Sequence, residues 1–163
     1  NVYIWGRNFE KAKKIAEDLK NEVFAIEPVE TVEEKIKQVD IISCATLSRT
    51  PLVFGEYLQE GQHLDLVGAY KKDTREADND CVKKSSVFID TYQGGLKESG
   101  DIVLPLKEGV LKEEDIKADL FELCSGIKKG RKDAKEITFF KSVGHALEDL
   151  AAATYYYNKY TDE

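Results

Sequence analysis

Four short segments carry residue types that can hold or transform a small ligand: Gly6-Arg7-Asn8, Ala45-Thr46-Leu47-Ser48, Gly68-Ala69-Tyr70 and Lys141-Ser142-Val143-Gly144. Each directly follows a short apolar or β-branched run, so each reads as the carboxyl end of a strand. In an open α/β sheet, ligands sit in the crevice beyond those ends. An arginine with a small amide at such an end can contact a ribose 2′-phosphate, whereas an acid there would hydrogen-bond a free 2′-hydroxyl. Gly6-Arg7-Asn8 therefore favours NADP over NAD; the plainer alternative is a solvated arginine beside a helix-capping asparagine. The Ala-Thr-x-Ser stretch offers hydroxyls and backbone N–H groups, and its small side chains let a ligand approach the main chain. Ser48, Thr50 and Pro51 also make an acceptable turn. Gly68 permits close backbone approach and Tyr70 carries a hydroxyl, though a turn and a packing tyrosine explain them equally well. Ser142 can meet a ligand or cap a helix beginning at Val143.

Other reactive residue types fall into no recognisable constellation. His63 lies inside a strand pattern and His145 early in a helix, neither with an obvious Ser, Cys or acid partner. Asp101, Glu148 and Asp149 have no second carboxylate at a spacing that marks acid/base work, and read as structural. Cys44, Cys81 and Cys124 are far apart, with no C-x-x-C pair and no histidine at metal-ligand spacing. No metal site is expected from them; they read as buried small hydrophobes in a reducing, cytoplasmic protein.

These segments require elements to position them. Residues 2–5 are β-branched and aromatic and stop at Gly6, as a strand does before a turn. Phe9, Ala12, Ile15, Ala16 and Leu19 recur at helical spacing behind Asn8 as N-cap. A second strand is expected over 23–26, punctuated by Pro28. Thr31 and Glu34 then form a capping-box pattern for a helix through Gln38. Residues 40–46 are nearly continuously apolar, which suits a parallel strand covered on both faces. Residues 63–67 and 86–90 repeat the theme, and short helices are expected between Asp101 and Lys132. A last strand over 137–141 leads into an Ala/Tyr-rich helix from 143 to about 157. Alternation of this kind predicts α/β architecture: a Rossmann-like, doubly wound parallel sheet with helices on both faces.

Bulk properties narrow the classes further. The 163 residues fit one domain, with 42% hydrophobic and 34% charged residues, as in soluble globular proteins. A net charge of −7 with dispersed lysines and arginines argues against nucleic-acid binding, and no apolar run is long enough for a membrane span. There is no methionine, and the first residues already read as a strand, so residues 1–163 are expected to be a fragment of a larger protein.

In order and spacing, these strings resemble the ornithine cyclodeaminase/mu-crystallin family over nearly the whole chain. The resemblance rests on Trp5-Gly6-Arg7-Asn8, Asp40-Ile41-Ile42, Ala45-Thr46-Leu47-Ser48 and Pro51-Leu52. It continues through Gly61-Gln62-His63, Gly68, Arg75-Glu76, Ser99-Gly100-Asp101 and Gly130-Arg131, to Phe140-Lys141-Ser142-Val143-Gly144 with Glu148-Asp149-Leu150. It implies an NAD(P)-binding Rossmann domain from a two-domain homodimer, whose first strand and Gly-rich loop are missing from the chain, so that the first strand here matches the family's second. It also implies that the helix from about 143 packs toward a substrate and dimerisation domain. By resemblance, Gly6, Arg7 and Asn8 meet the adenosine ribose or its 2′-phosphate, Thr46 lines the adenosine side, Val67, Gly68, Ala69 and Ser142 lie on the nicotinamide side, and Val143 is near the substrate. The implied chemistry is hydride transfer between nicotinamide and the α-carbon of an amino acid or cyclic imine. Tyr70 stands where true ornithine cyclodeaminases carry a catalytic aspartate, which leaves the imine reductases and amino-acid dehydrogenases of the family as the nearer expectation. The substrate-binding lysine and arginines would lie outside these residues, so the fragment alone is expected to be inactive. Two other functions remain open: a non-catalytic mu-crystallin-like NADP-binding protein, and a dimerisation module suggested by Tyr155-Tyr156-Tyr157.

Overall fold

The computed structural model describes residues 1–20 and 23–161. Its elements run β1 (Val2–Ile4), α1 (Phe9–Asp18), β2 (Ile26–Pro28), β3 (Ile41–Cys44), β4 (His63–Leu66), α2 (Asn79–Lys84), β5 (Ser86–Ile89), α3 (Tyr92–Gly95), α4 (Gly100–Lys107), β6 (Ala118–Asp119), α5 (Leu120–Cys124), β7 (Thr138–Lys141) and α6 (Ala146–Thr161). Every strand pairing is parallel. The order is β1-β2 in a small sheet and β3-β4-β7-β5-β6 in a larger one, so the last strand inserts between β4 and β5.

Local signals account for the first elements. Asn8 caps α1 by accepting from the Lys11 amide, and Ala12 and Ala16 turn inward at helical spacing. The second strand is displaced from the expected one: Val23 and Phe24 are exposed, and pairing begins at Ile26. Pro28 lies inside this strand rather than beyond it, because β2 is an edge strand and loses nothing by lacking an N–H on its open side. Glu34 does accept from the Thr31 amide at 2.9 Å, yet only a 3₁₀ turn, Ile36–Gln38, forms there. That turn places Ile36 in the core.

Parallel strands buried on one side need an apolar inner face. Leu64, Leu66, Val87, Ile89 and Phe139 supply it, packed with Cys81 and Val82 of α2 and Ile102 of α4. Leu64, Leu66, Ile89 and Phe139 are fully buried, and each contributes about 1.5–3 kcal/mol by leaving water. On the opposite face, Leu123 of α5 and the loop through Gly130 and Arg131 lie over His63, Phe88, Thr138 and Phe140. The expected α/β sheet with helical cover is thus present, with β6 and its two residues an unforeseen edge strand.

β1 and β3 lie in different sheets, β1 paired with β2 and β3 with β4. A cleft of about 350 Å³ separates them, lined by Tyr3 and Trp5 on one wall and residues 41–46 on the other. β1 and β3 each face it with an edge that pairs with no other strand among the described residues.

The last helix begins at Ala146, not Val143, because Gly144 adopts φ +90°, a left-handed conformation that cannot continue a helix. It then runs past Tyr157 to Thr161. No residue of α6 is buried, and Leu147, Leu150, Tyr155, Tyr156, Tyr157 and Tyr160 are all exposed. No helix among the described residues is long and apolar enough to cross a membrane.

Candidate functional site

Within the larger sheet all strands are parallel, so the segments after β3, β4 and β7 share its carboxyl edge, while Gly6-Arg7-Asn8 follows the carboxyl end of β1 in the small sheet. Gly6, Arg7 and Asn8 line a shallow pocket with Lys11 and Ala12 at the start of α1. The Arg7 guanidinium is exposed and makes no ion pair or hydrogen bond among the described residues. It sits beside Lys11, where the helix dipole already favours an anion. Asn8 spends its side-chain oxygen on the helix cap, so its amide N–H₂ group is what it presents outward.

The ends of β3 and β4 are fastened together by Glu76, which the sequence marks only within the Arg75-Glu76 string and to which it gives no role. Glu76, fully buried, accepts from the Thr46 amide at 2.5 Å and the Thr46 hydroxyl at 2.8 Å through one oxygen. Its other oxygen accepts from the amides of Gly68 at 3.0 Å and Ala69 at 3.2 Å. The Thr46 amide and hydroxyl, expected to be free for a ligand, are therefore engaged by protein, and what this loop offers is its shape. A Cβ on Gly68 would lie 2.0 Å from the Thr46 nitrogen and 2.1 Å from its oxygen, so only glycine lets the two strand ends approach this closely. Val67 and Tyr70 flank this contact with exposed side chains, the Lys71 ammonium standing 5.7 Å from the Tyr70 ring centre. Ser48 is a turn residue, its hydroxyl donating to the Thr50 carbonyl at 2.6 Å.

A second buried carboxylate organises the end of β7. Asp90 accepts from the Val143 amide at 2.7 Å, the Gly144 amide at 2.9 Å and the Ser142 hydroxyl at 3.2 Å. Ser142 is thus no cap for the last helix; that part falls to His145, whose Nδ1 accepts from the Leu147 amide at 3.2 Å. Lys141 belongs to the interior: it is fully buried, 3.6 Å from Asp101 and 3.9 Å from Glu76. Asp101, read from sequence as a carboxylate without a partner, therefore has one. Burial pushes its carboxyl up from the ordinary value and the Lys141 ammonium down, each partly countered by the other's charge.

The remaining candidates separate cleanly. Cys81 is buried and Cys44 half-buried, but Cys124 is exposed, contrary to the expectation of three core thiols. Burial, then the charges of Glu76, Asp101 and Asp65, push the Cys44 thiol up to about 12, so it stays protonated and is a poor nucleophile. His63 lies at the start of β4, opposite the crevice, with Nδ1 2.8 Å from the Thr138 hydroxyl; desolvation lowers its pKa. Among the described residues no three His, Cys, Asp or Glu side chains gather as a metal site.

The sequence model of the ornithine cyclodeaminase/mu-crystallin family matches residues 1–163. The chain is 33% identical to Delta(1)-pyrroline-2-carboxylate reductase of Paracoccus denitrificans, covering 94% of this chain and 49% of that protein. It is 34% identical to ketimine reductase mu-crystallin of Rattus norvegicus, covering 98% of this chain and 47% of the relative. Among solved structures, Thermococcus litoralis Delta(1)-pyrroline-2-carboxylate reductase in complex with NADH and L-proline superposes with a TM-score of 0.93 at 42% identity, over 98% of this chain and 50% of that one. The chain spans about half the length of the curated relatives it matches.

Proposed function

This chain belongs to the ornithine cyclodeaminase/mu-crystallin family, and on that ground we propose that it is the dinucleotide-binding domain of a two-domain NAD(P)-dependent oxidoreductase acting on a small cyclic imine or amino acid. The observation that carries the reading is that the strand-end segments quoted for the family stand where the family's order puts them, with Gly6-Arg7-Asn8 after β1 and Ala45-Thr46, Gly68-Ala69 and Ser142 after β3, β4 and β7. The carboxyl ends of parallel strands are where open α/β sheets take up nucleotides. The residues present fit the group: a free guanidinium at the β1 end, close-packed small residues at the β3 and β4 ends, and an exposed apolar Val67 to lie against a flat ring.

When bound, the nicotinamide supplies the redox chemistry, giving a hydride to the carbon of a C=N bond while the nitrogen gains a proton, and becoming oxidised in the exchange. The chain's own part is placement. Arg7 meets the ribose end, favouring a 2′-phosphate and hence NADP. Thr46 lines the adenosine side, and Val67, Gly68, Ala69 and Ser142 shape the nicotinamide side. Val143, held by Asp90, borders the substrate. Tyr70, half exposed, offers no carboxylate for proton transfer, which favours imine reduction or amino-acid oxidation over cyclodeamination. The exposed Leu147, Leu150 and tyrosines of α6 support packing against a second domain and assembly as a homodimer. Three free cysteines are consistent with a cytoplasmic protein.

The full-length protein supplied with Delta(1)-pyrroline-2-carboxylate and NADPH or NADH is expected to oxidise the reduced dinucleotide, followed by its absorbance, and to form proline. Saturable dinucleotide binding without turnover on cyclic imines or amino acids would instead favour a binding protein on the same fold.

A further inference from the structure

We propose that Glu76 is a positioning residue: its buried carboxylate, seated between the Thr46 loop and the Gly68–Ala69 turn and backed by Lys141 and Asp101, fixes the spacing of these two strand-end loops and so the affinity for dinucleotide. This rests on reading the strand-end crevice as the dinucleotide site.

A carboxylate has about four places to accept a hydrogen bond. Glu76 fills its two oxygens with four donors drawn from two loops, the Thr46 amide and hydroxyl and the amides of Gly68 and Ala69. It has no capacity left for a ligand and acts through the loops it joins. Its own backbone is fixed in turn. Its carbonyl accepts from the amides of Leu52 and Val53, while Asp101 Oδ1 accepts from the amides of Glu76 at 2.8 Å and Ala77 at 3.0 Å. Lys141 Nζ lies between the two carboxylates, 3.9 Å from Glu76 and 3.6 Å from Asp101, with all three side chains fully buried.

A cluster like this is a poor way to gain stability, since well-packed apolar side chains of similar volume do as well or better. What apolar packing cannot do is hold N–H groups of two separate loops at a fixed spacing. One carboxylate bridging four donors does so, and the low dielectric around it strengthens each bond. The same contacts explain why Gly68 is packed onto the Thr46 backbone: the bridge draws the β3 and β4 ends together until no Cβ fits between them.

The test uses the full-length protein, with NADPH, NADH and Delta(1)-pyrroline-2-carboxylate as probes. Glu76→Gln keeps the side-chain size but turns an N–H₂ donor toward donors of one loop. We expect the dinucleotide KM to rise about tenfold or more, equivalent to a lost hydrogen bond to a charged group, while the imine KM stays within about twofold. Phe139→Leu, a core change in β7, serves as the control: it lowers Tm and leaves the dinucleotide KM unchanged. Should Glu76→Gln fail to fold, Glu76→Asp keeps the charge with an arm too short to reach both loops, and the same split between the two KM values is expected. The proposal is overturned if the dinucleotide KM of the folded variant stays within twofold of wild type, or if Phe139→Leu raises it as much as the Glu76 change does. Wild-type protein that binds neither dinucleotide overturns the reading of the site along with this role; wild type that binds normally, with Glu76 variants unaffected, overturns this role alone.

Discussion

Exchanging Arg7 for aspartate in the full-length protein lowers the NADPH-to-NADH ratio of kcat/KM by about a hundredfold on this account. A charge-assisted hydrogen bond to a phosphate is worth roughly 1.5–3 kcal/mol, and each 1.4 kcal/mol is about tenfold. Aspartate removes that contact, repels the 2′-phosphate, and can accept from the free 2′-hydroxyl of NADH. Two opposing changes therefore combine in the ratio. Arg7 is exposed and makes no ion pair or hydrogen bond among the described residues, so the exchange removes nothing that holds the fold, and Tm should stay near wild type. An unchanged cofactor ratio would remove Arg7 from the ribose end of the site.

Replacing Gly68 by alanine has the largest expected effect on the fold and the site together. The added methyl would meet the Thr46 nitrogen at 2.0 Å and its oxygen at 2.1 Å, with the Ala45 carbonyl carbon at 2.5 Å. These are backbone atoms and cannot swing aside as a side chain can. The ends of β3 and β4 must separate, which breaks the bonds from Thr46, Gly68 and Ala69 to Glu76 and exposes a buried carboxylate cluster. Overpacking of this kind costs about 1–3 kcal/mol even where side chains can give, so the loss here should reach the upper end of that range. Thermal unfolding would show a fall in Tm of several degrees, accompanied by weaker dinucleotide binding. Gly6→Ala is the contrast, since its Cβ would find nothing nearer than the Asn8 carbonyl oxygen at 3.9 Å; its Tm should hold. Equal Tm losses at the two positions would contradict the steric account.

What the sequence disclosed and what it hid follow one physical division. Phe9, Ala12 and Ala16 announce α1 because helical burial repeats within a few residues, and Asn8 announces its start because a cap bonds three residues onward. The strands β3, β4, β5 and β7 are legible because each is a short run of apolar and β-branched residues that turns its inner face to the core. The four segments do follow strand ends, as their position after short apolar runs predicts. Long-range contacts left no such trace. Glu76 lies 30 residues from Thr46, and Asp90 lies 53 from Val143, so each reads locally as an ordinary acid although it holds a loop of the site. β6 has two residues and no pattern of its own, and pairs only because β5 offers an edge. The Thr31 amide does donate to Glu34, yet only the 3₁₀ turn Ile36–Gln38 follows it.

The most direct measurement is calorimetric titration of the full-length protein with NADPH and with NADH. The account predicts saturable binding of one dinucleotide per chain, tighter for NADPH, with the Arg7→Asp protein reversing the order. No saturable binding of either dinucleotide would contradict the reading of the strand-end segments as its site.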